Sequence, residues 1–179
     1  MSEPEVEIAP WAERLSLVCL GGSAVSITAA GLGLAGVSLG VSVVTLLVAF
    51  TVTALATLWT IFFYVVVVAA GRKRLLGHGL KSWRIALPGT LVAVAAVLAG
   101  IGMSGPERTP APATPECATR ILDGALGEYV CASPSDFLQA QLTVQMIFAS
   151  VFSGALAMLA IFTAAIAAAM SQRPPLSGS

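Results

Sequence analysis

Few side chains in this 179-residue chain could carry chemistry, and three cysteines and one histidine head the list. Cys117 and Cys131 are separated by thirteen residues with no histidine nearby. That spacing fits neither a CxxC redox motif nor a zinc site. It fits a structural disulfide in an oxidising compartment. Closing a ring of about 15 residues is worth ~3 kcal/mol in the chain-entropy model. Cys19 lies within an apolar segment, and His78 stands between two glycines next to a cationic run, as a solvated turn would place it. A serine or cysteine nucleophile needs a neighbouring base, and no such pair is legible. We therefore expect no enzyme activity, no cofactor and no metal.

Ionisable groups inside a membrane are costly and mark ion paths or active sites where they occur. The long apolar segments here contain no Asp, Glu, Lys, Arg or His. Their polar groups are hydroxyls and amides. Thr53, Thr57 and Thr60 recur at helical spacing, Tyr64 continues that face, and Gln141 and Gln145 stand one turn apart. Such a stripe can line a polar pathway or bind a partner, or the hydroxyls can bond back to their own helix. Small residues form two further faces, Gly22, Ser26 and Gly33 on one segment and Ser150, Gly154 and Ala157 on another. Faces of this kind let helix backbones approach closely where no hydrophobic drive exists. They serve either the packing of the chain itself or a partner helix.

These residues need long helices to hold them. The chain is 57% hydrophobic and 10% charged, with mean hydropathy +0.91. Average soluble domains are near 45–50% apolar and ~25% charged, so the composition is that of a polytopic membrane protein. A crossing helix needs ~20 apolar residues. Residues 15–71 lack charge entirely, enough for two crossings, and the glycines between 31 and 40 place the turn. We expect an all-α integral membrane protein with four transmembrane helices. An acidic cytoplasmic tail at 1–10, which does not read as a cleavable signal, leads to a hairpin of two spans at 11–71. A basic loop at 72–84, a third span at 85–103, an outer loop at 104–132, a fourth span at 133–170 and a tail at 171–179 complete the order. The charge-free run 41–70, ending in Arg72, Lys73 and Arg74, has the length and aromatic content of a packing spine.

Orientation follows from the cations. With both termini cytoplasmic, Arg14, Arg72, Lys73, Arg74, Lys81, Arg84 and Arg173 face inward, and only Arg108 and Arg120 face outward. That is the positive-inside pattern, in the cell membrane. Arg72, Lys73, Arg74, Lys81 and Arg84 could also meet anionic lipid head groups. The net charge of zero gives no sign of nucleic-acid binding.

Two features of the outer loop bear on its structure. The Pro-rich stretch 106–115 is expected to be extended and poorly packed. Between the cysteines, Ile121, Leu122, Ala125, Leu126, Tyr129 and Val130 recur at helical spacing, which predicts a short amphipathic helix. Ser133, Pro134 and Asp136 then read as a cap, a first helical position and a first-turn acid.

Four spans with inner termini and a disulfide-bearing second outer loop resemble tetraspanins in topology, without that family's Cys-Cys-Gly motif. The first-helix carboxylate of small multidrug exporters and the CxxC of four-span thiol oxidoreductases are also absent, and no family is assigned. The functional expectation is a non-catalytic accessory or scaffold subunit of a larger membrane complex, with the lipid bilayer and a membrane protein as partners. The Ala-, Gly- and Val-rich composition, with two lysines among nine cations, suggests a bacterial source, respiratory or cell-envelope machinery being typical hosts. The alternative is an oligomeric transporter or channel for small molecules or lipids, lined by the threonines.

Overall fold

A computed structural model describes residues 10–40, 48, 51–59, 61–62 and 83–171. The 1–10 tail apart from Pro10, most of the second span, the basic loop with Arg72, Lys73, Arg74, His78 and Lys81, and the tail after Ser171 lie outside the described residues. Helix α1 covers Pro10–Leu34, and helical residues 51–59 belong to α2. Helix α3 covers Trp83–Met103 and α4 covers Pro134–Ser171. Between α3 and α4 lie three short strands, β1 at Arg108–Pro110, β2 at Arg120–Asp123 and β3 at Glu128–Cys131. Three helices are long and apolar enough to cross a membrane, α1, α3 and α4.

Among the described helices α4 is the spine, because α1 and α3 both pack along it. Ser16 lies opposite Ala160 and Ser23 opposite Ser153, so α1 runs antiparallel to α4. Gly102 abuts Ile147 and Gly154 lies beside Ala95, so α3 is antiparallel to α4 as well. At 38 residues α4 is ~57 Å long, against a hydrocarbon core of ~30 Å. Its first two turns stand beyond the end of α1 and carry the sheet.

The ends of these helices are set by local chemistry. Gly36 (φ 83°) terminates α1, donating from N to the carbonyl of Gly33, while Val37 N reaches back to Leu32 O at 2.8 Å. This paired closure needs a left-handed residue, which glycine supplies without strain. At the start of α4, Asp136 N donates to Ser133 Oγ at 3.2 Å, and the same hydroxyl lies 2.7 Å from Asp136 Oδ2. The serine thus satisfies a first-turn N–H, with Pro134 behind it where no N–H is required. Helix α3 begins at Trp83, so Pro88 falls in the second turn.

The segment between α3 and α4 corrects the all-α expectation. Residues 121–130 do not form an amphipathic helix; they form a β-hairpin in a three-stranded antiparallel sheet of order β1-β2-β3. Ile121 pairs with Val130 and Leu122 with Tyr129. Apolar doublets four residues apart fit two helical turns, and they equally face one another across a hairpin with a four-residue loop. The loop chemistry decides it. Asp123 Oδ1 accepts from Ala125 N (3.0 Å) and Leu126 N (3.4 Å), and Gly127 adopts φ 68° with its N–H on Asp123 O. Aspartate and glycine at these places favour a turn over helix continuation. Part of the Pro-rich stretch is also more ordered than expected: Arg108–Pro110 pairs with β2, and Thr114 bridges Cys117.

Candidate functional site

The buried positions of α1 are Ala12, Ser16, Cys19, Ser23, Ser26, Ala30 and Gly33, spaced alternately four and three residues apart. On α4 the matching seam is Met146, Ala149, Ser153, Ala157, Ala160 and Ala164. This 3.5-residue repeat is the one that packs helices in the left-handed manner common in membranes. Small side chains bring the backbones near, and hydroxyls then reach across. Ser23 Oγ lies 2.9 Å from Ser153 Oγ and 3.0 Å from Ser153 O, while Ser153 Oγ donates to Ser23 O at 2.9 Å. Ser16 Oγ donates to Ala160 O at 3.1 Å.

Gln145 closes the seam at the sheet end. Its Nε2 donates to Ala29 O (2.9 Å) and Val37 O (3.2 Å), and its Oε1 accepts from Leu39 N (2.9 Å). One amide side chain thereby bonds backbone groups near the end of α1 and in the segment leaving it. Gln141, one turn earlier, is half-buried.

The sequence-picked small residues lie within this bundle. A side chain at Gly22 would meet Leu156 Cδ1 at 3.0 Å, and one at Gly33 would meet Leu142 O at 3.3 Å. Ser26, Ser150 and Ala157 are buried, and Gly154 faces Ala95 of α3. Of the threonine stripe, Thr53 is buried and Thr57 Oγ1 donates to Thr53 O at 2.8 Å, the local back-bond. Thr60 and Tyr64 lie outside the described residues. Exposed Trp59 and Phe62 sit together, ring centroids 6.3 Å apart. At the far end of the bundle from the sheet, Arg84 Nη2 is 2.5 Å from Glu13 Oε1, which joins the first turns of α1 and α3. Among the described residues no group of three or more His, Cys, Asp or Glu is gathered as for a metal ion.

The sheet end holds the charged chemistry. Cys117 and Cys131 form a disulfide across 5.8 Å between Cα atoms, a normal span. Its neighbours extend the ladder, Ala132 N bonding Thr119 O and Thr119 Oγ1 bonding Ala132 O. The sheet is pinned to α4 by Arg108, whose Nη1 is 3.5 Å from Asp136 Oδ1 and whose Nε is 3.8 Å from Asp123 Oδ2. Arg120 lies over the Tyr129 ring at 4.3 Å from its centroid. Below the sheet is a cavity of about 450 Å³. Its walls come from the end of α3 (Gly102, Met103), from Glu107 and Arg108, and from Thr143, Val144 and Ile147 of α4.

No protein-family model matches the chain, and no curated protein or solved structure shows significant similarity to it. The site is read from its own chemistry. Sequence reasoning sought small residues four apart, and so missed Ser16 and Ser23. Their signal was the 3-4 alternation of Ala, Ser, Cys and Gly along α1. The cavity had no local signal, because its walls come from three separated segments.

Proposed function

We propose that the chain is a non-catalytic, four-span integral membrane protein that serves as an accessory or scaffold subunit of a larger membrane complex. The fourth crossing is the segment 41–71. What supports this reading is that α1 and α3 are parallel, the end of α1 lying at the sheet end and the start of α3 at the other, so that a return crossing between them suits the charge-free run. Helical residues 51–59 lie in the middle of that return. The cation distribution favours a cytoplasmic Arg84 end with both termini inside, and an outer sheet end, where a disulfide is stable.

One observation carries the scaffold reading. The hairpin is stapled by a disulfide and pinned to α4, yet it exposes Leu126 (66%) and Tyr129 (55%). Apolar side chains held rigidly outside the helical bundle mark a contact surface, and Tyr and Arg are favoured anchors at such surfaces. The small-residue faces pack the bundle itself, and among the described residues the hairpin is a feature outside it that is free for a partner. Purification of the full chain in mild detergent from its own membranes tests this. A stoichiometric partner is expected with the native protein and is lost with Leu126→Ser/Tyr129→Ser, while the disulfide and the melting profile persist. Recovery of a lone monomer in both cases would count against the proposal.

A further inference from the structure

We propose that the cavity beneath the sheet is a binding site for a lipophilic cation, meaning an apolar body that carries one positively charged nitrogen. Its volume, about 450 Å³, lies within the range of small-molecule sites. Met103, Pro106, Leu122, Val144 and Ile147 give it an apolar wall, which suits the body of an amphiphile.

Three features fix the sign of the head group. The C-terminus of α3 ends in the wall at Gly102 and Met103, and its last turn carries no basic residue. A helix C-terminus bears about half a negative charge, which favours cations nearby. Glu107 lines the same wall, and among the described residues no ion pair involves its carboxylate. Arg108 is the one cation of the lining, and it is held between Asp123 and Asp136 at 3.8 and 3.5 Å. Two carboxylates already neutralise that guanidinium, and the Glu107 carboxylate of the lining leaves the local field negative. Met103, Pro106 and Glu107 of the lining are exposed, which leaves the cavity open to an amphiphile. The site is independent of the scaffold reading.

Photo-labelling of the full-length protein in phosphatidylcholine nanodiscs tests this. The probes are a dodecyltrimethylammonium with a diazirine in its chain, a fatty acid with the same diazirine, and a neutral alkylglycerol with the same diazirine. Peptide mapping should place the cationic label on residues 102–109 and 143–147, at least about fivefold above the anionic one, as expected for one nearby surface charge. Glu107→Gln, at an exposed position that leaves the fold intact, should reduce that preference while neutral labelling stays. Thr143→Trp puts an indole into the cavity and should cut labelling by all three, with the disulfide and elution volume unchanged. A repeat with phosphatidylethanolamine in the disc separates the sources: competition identifies a membrane aminolipid, and its absence a cation from solution. Equal labelling by cation and anion, labels spread over outward residues of α1 such as Val18 and Val25, or no effect of Glu107→Gln would each overturn the proposal.

Discussion

Ser23 and Ser153 exchange hydrogen bonds in both directions across the α1–α4 interface, each hydroxyl reaching the other's carbonyl at 3.0 and 2.9 Å. Both are fully buried. The arrangement works because small neighbours on each seam let two backbones approach until one hydroxyl spans the gap.

The pair predicts a measurable coupling. The two hydroxyls also lie 2.9 Å from each other, so either single change deprives the remaining hydroxyl of that contact while leaving its bond to the opposite carbonyl, and this shared contact is what a cycle isolates. A double-mutant cycle in detergent unfolding should give about 0.6–1.7 kcal/mol, the range seen for such bonds between membrane helices. A coupling indistinguishable from zero would mean that the hydroxyls act independently.

Gln145→Leu should release the end of α1. Leu39 N and the carbonyls of Ala29 and Val37 lose a shared partner, and each part-buried hydrogen bond is worth about 0.5–1.5 kcal/mol. Hydrogen exchange at Leu39 is the direct readout. It should accelerate strongly in this variant, whereas unchanged protection would show that the amide bond is dispensable.

Two glycines on one helix should respond oppositely to alanine. A Cβ at Gly102 would lie 2.6 Å from Ile147 Cγ1, while one at Gly100 meets nothing within 4 Å. Gly102→Ala should destabilise by about 1–3 kcal/mol through overpacking. Gly100→Ala should be neutral or stabilise by up to about 1 kcal/mol. Thermal unfolding of the two variants side by side decides this, and similar melting points would refute the close α3–α4 contact.

Alkylation checks the disulfide. Denatured, unreduced protein should present one thiol, Cys19, and three after reduction. Cys117→Ser/Cys131→Ser should loosen the sheet by ~3 kcal/mol, seen as faster exchange at Ala132 N, while the α1–α4 seam keeps its protection.

Parts of the fold were legible because the forces that set them are local in sequence. Uninterrupted apolar length gave α1, α3 and α4, whatever packs beside them. Ser133, Pro134 and Asp136 gave the start of α4, since a cap uses only its own turn. The Cys117–Cys131 bond followed from elimination, with Cys19 inside an apolar helix. Leu122 and Tyr129 show where local reasoning failed. Their spacing suits both a helix and a hairpin; the Asp123–Gly127 turn decides it, and β1, from a stretch that composition marks as loose, adds a third strand.

The sequence by itself determined that this chain has long apolar helices, where a glycine turn ends α1 and a serine cap starts α4, and which loop is cross-linked. Each of those follows from a run of neighbours: length, a cap, a left-handed glycine. Tertiary structure alone decided that α4 is the helix the others pack on, that Ser23 meets Ser153 and Gln145 meets Leu39, and that a cavity forms beneath the sheet. Those depend on residues more than a hundred positions apart, or on walls drawn from three segments. Small, uncharged side chains fit many registers equally well, and only close packing of the whole bundle selects one.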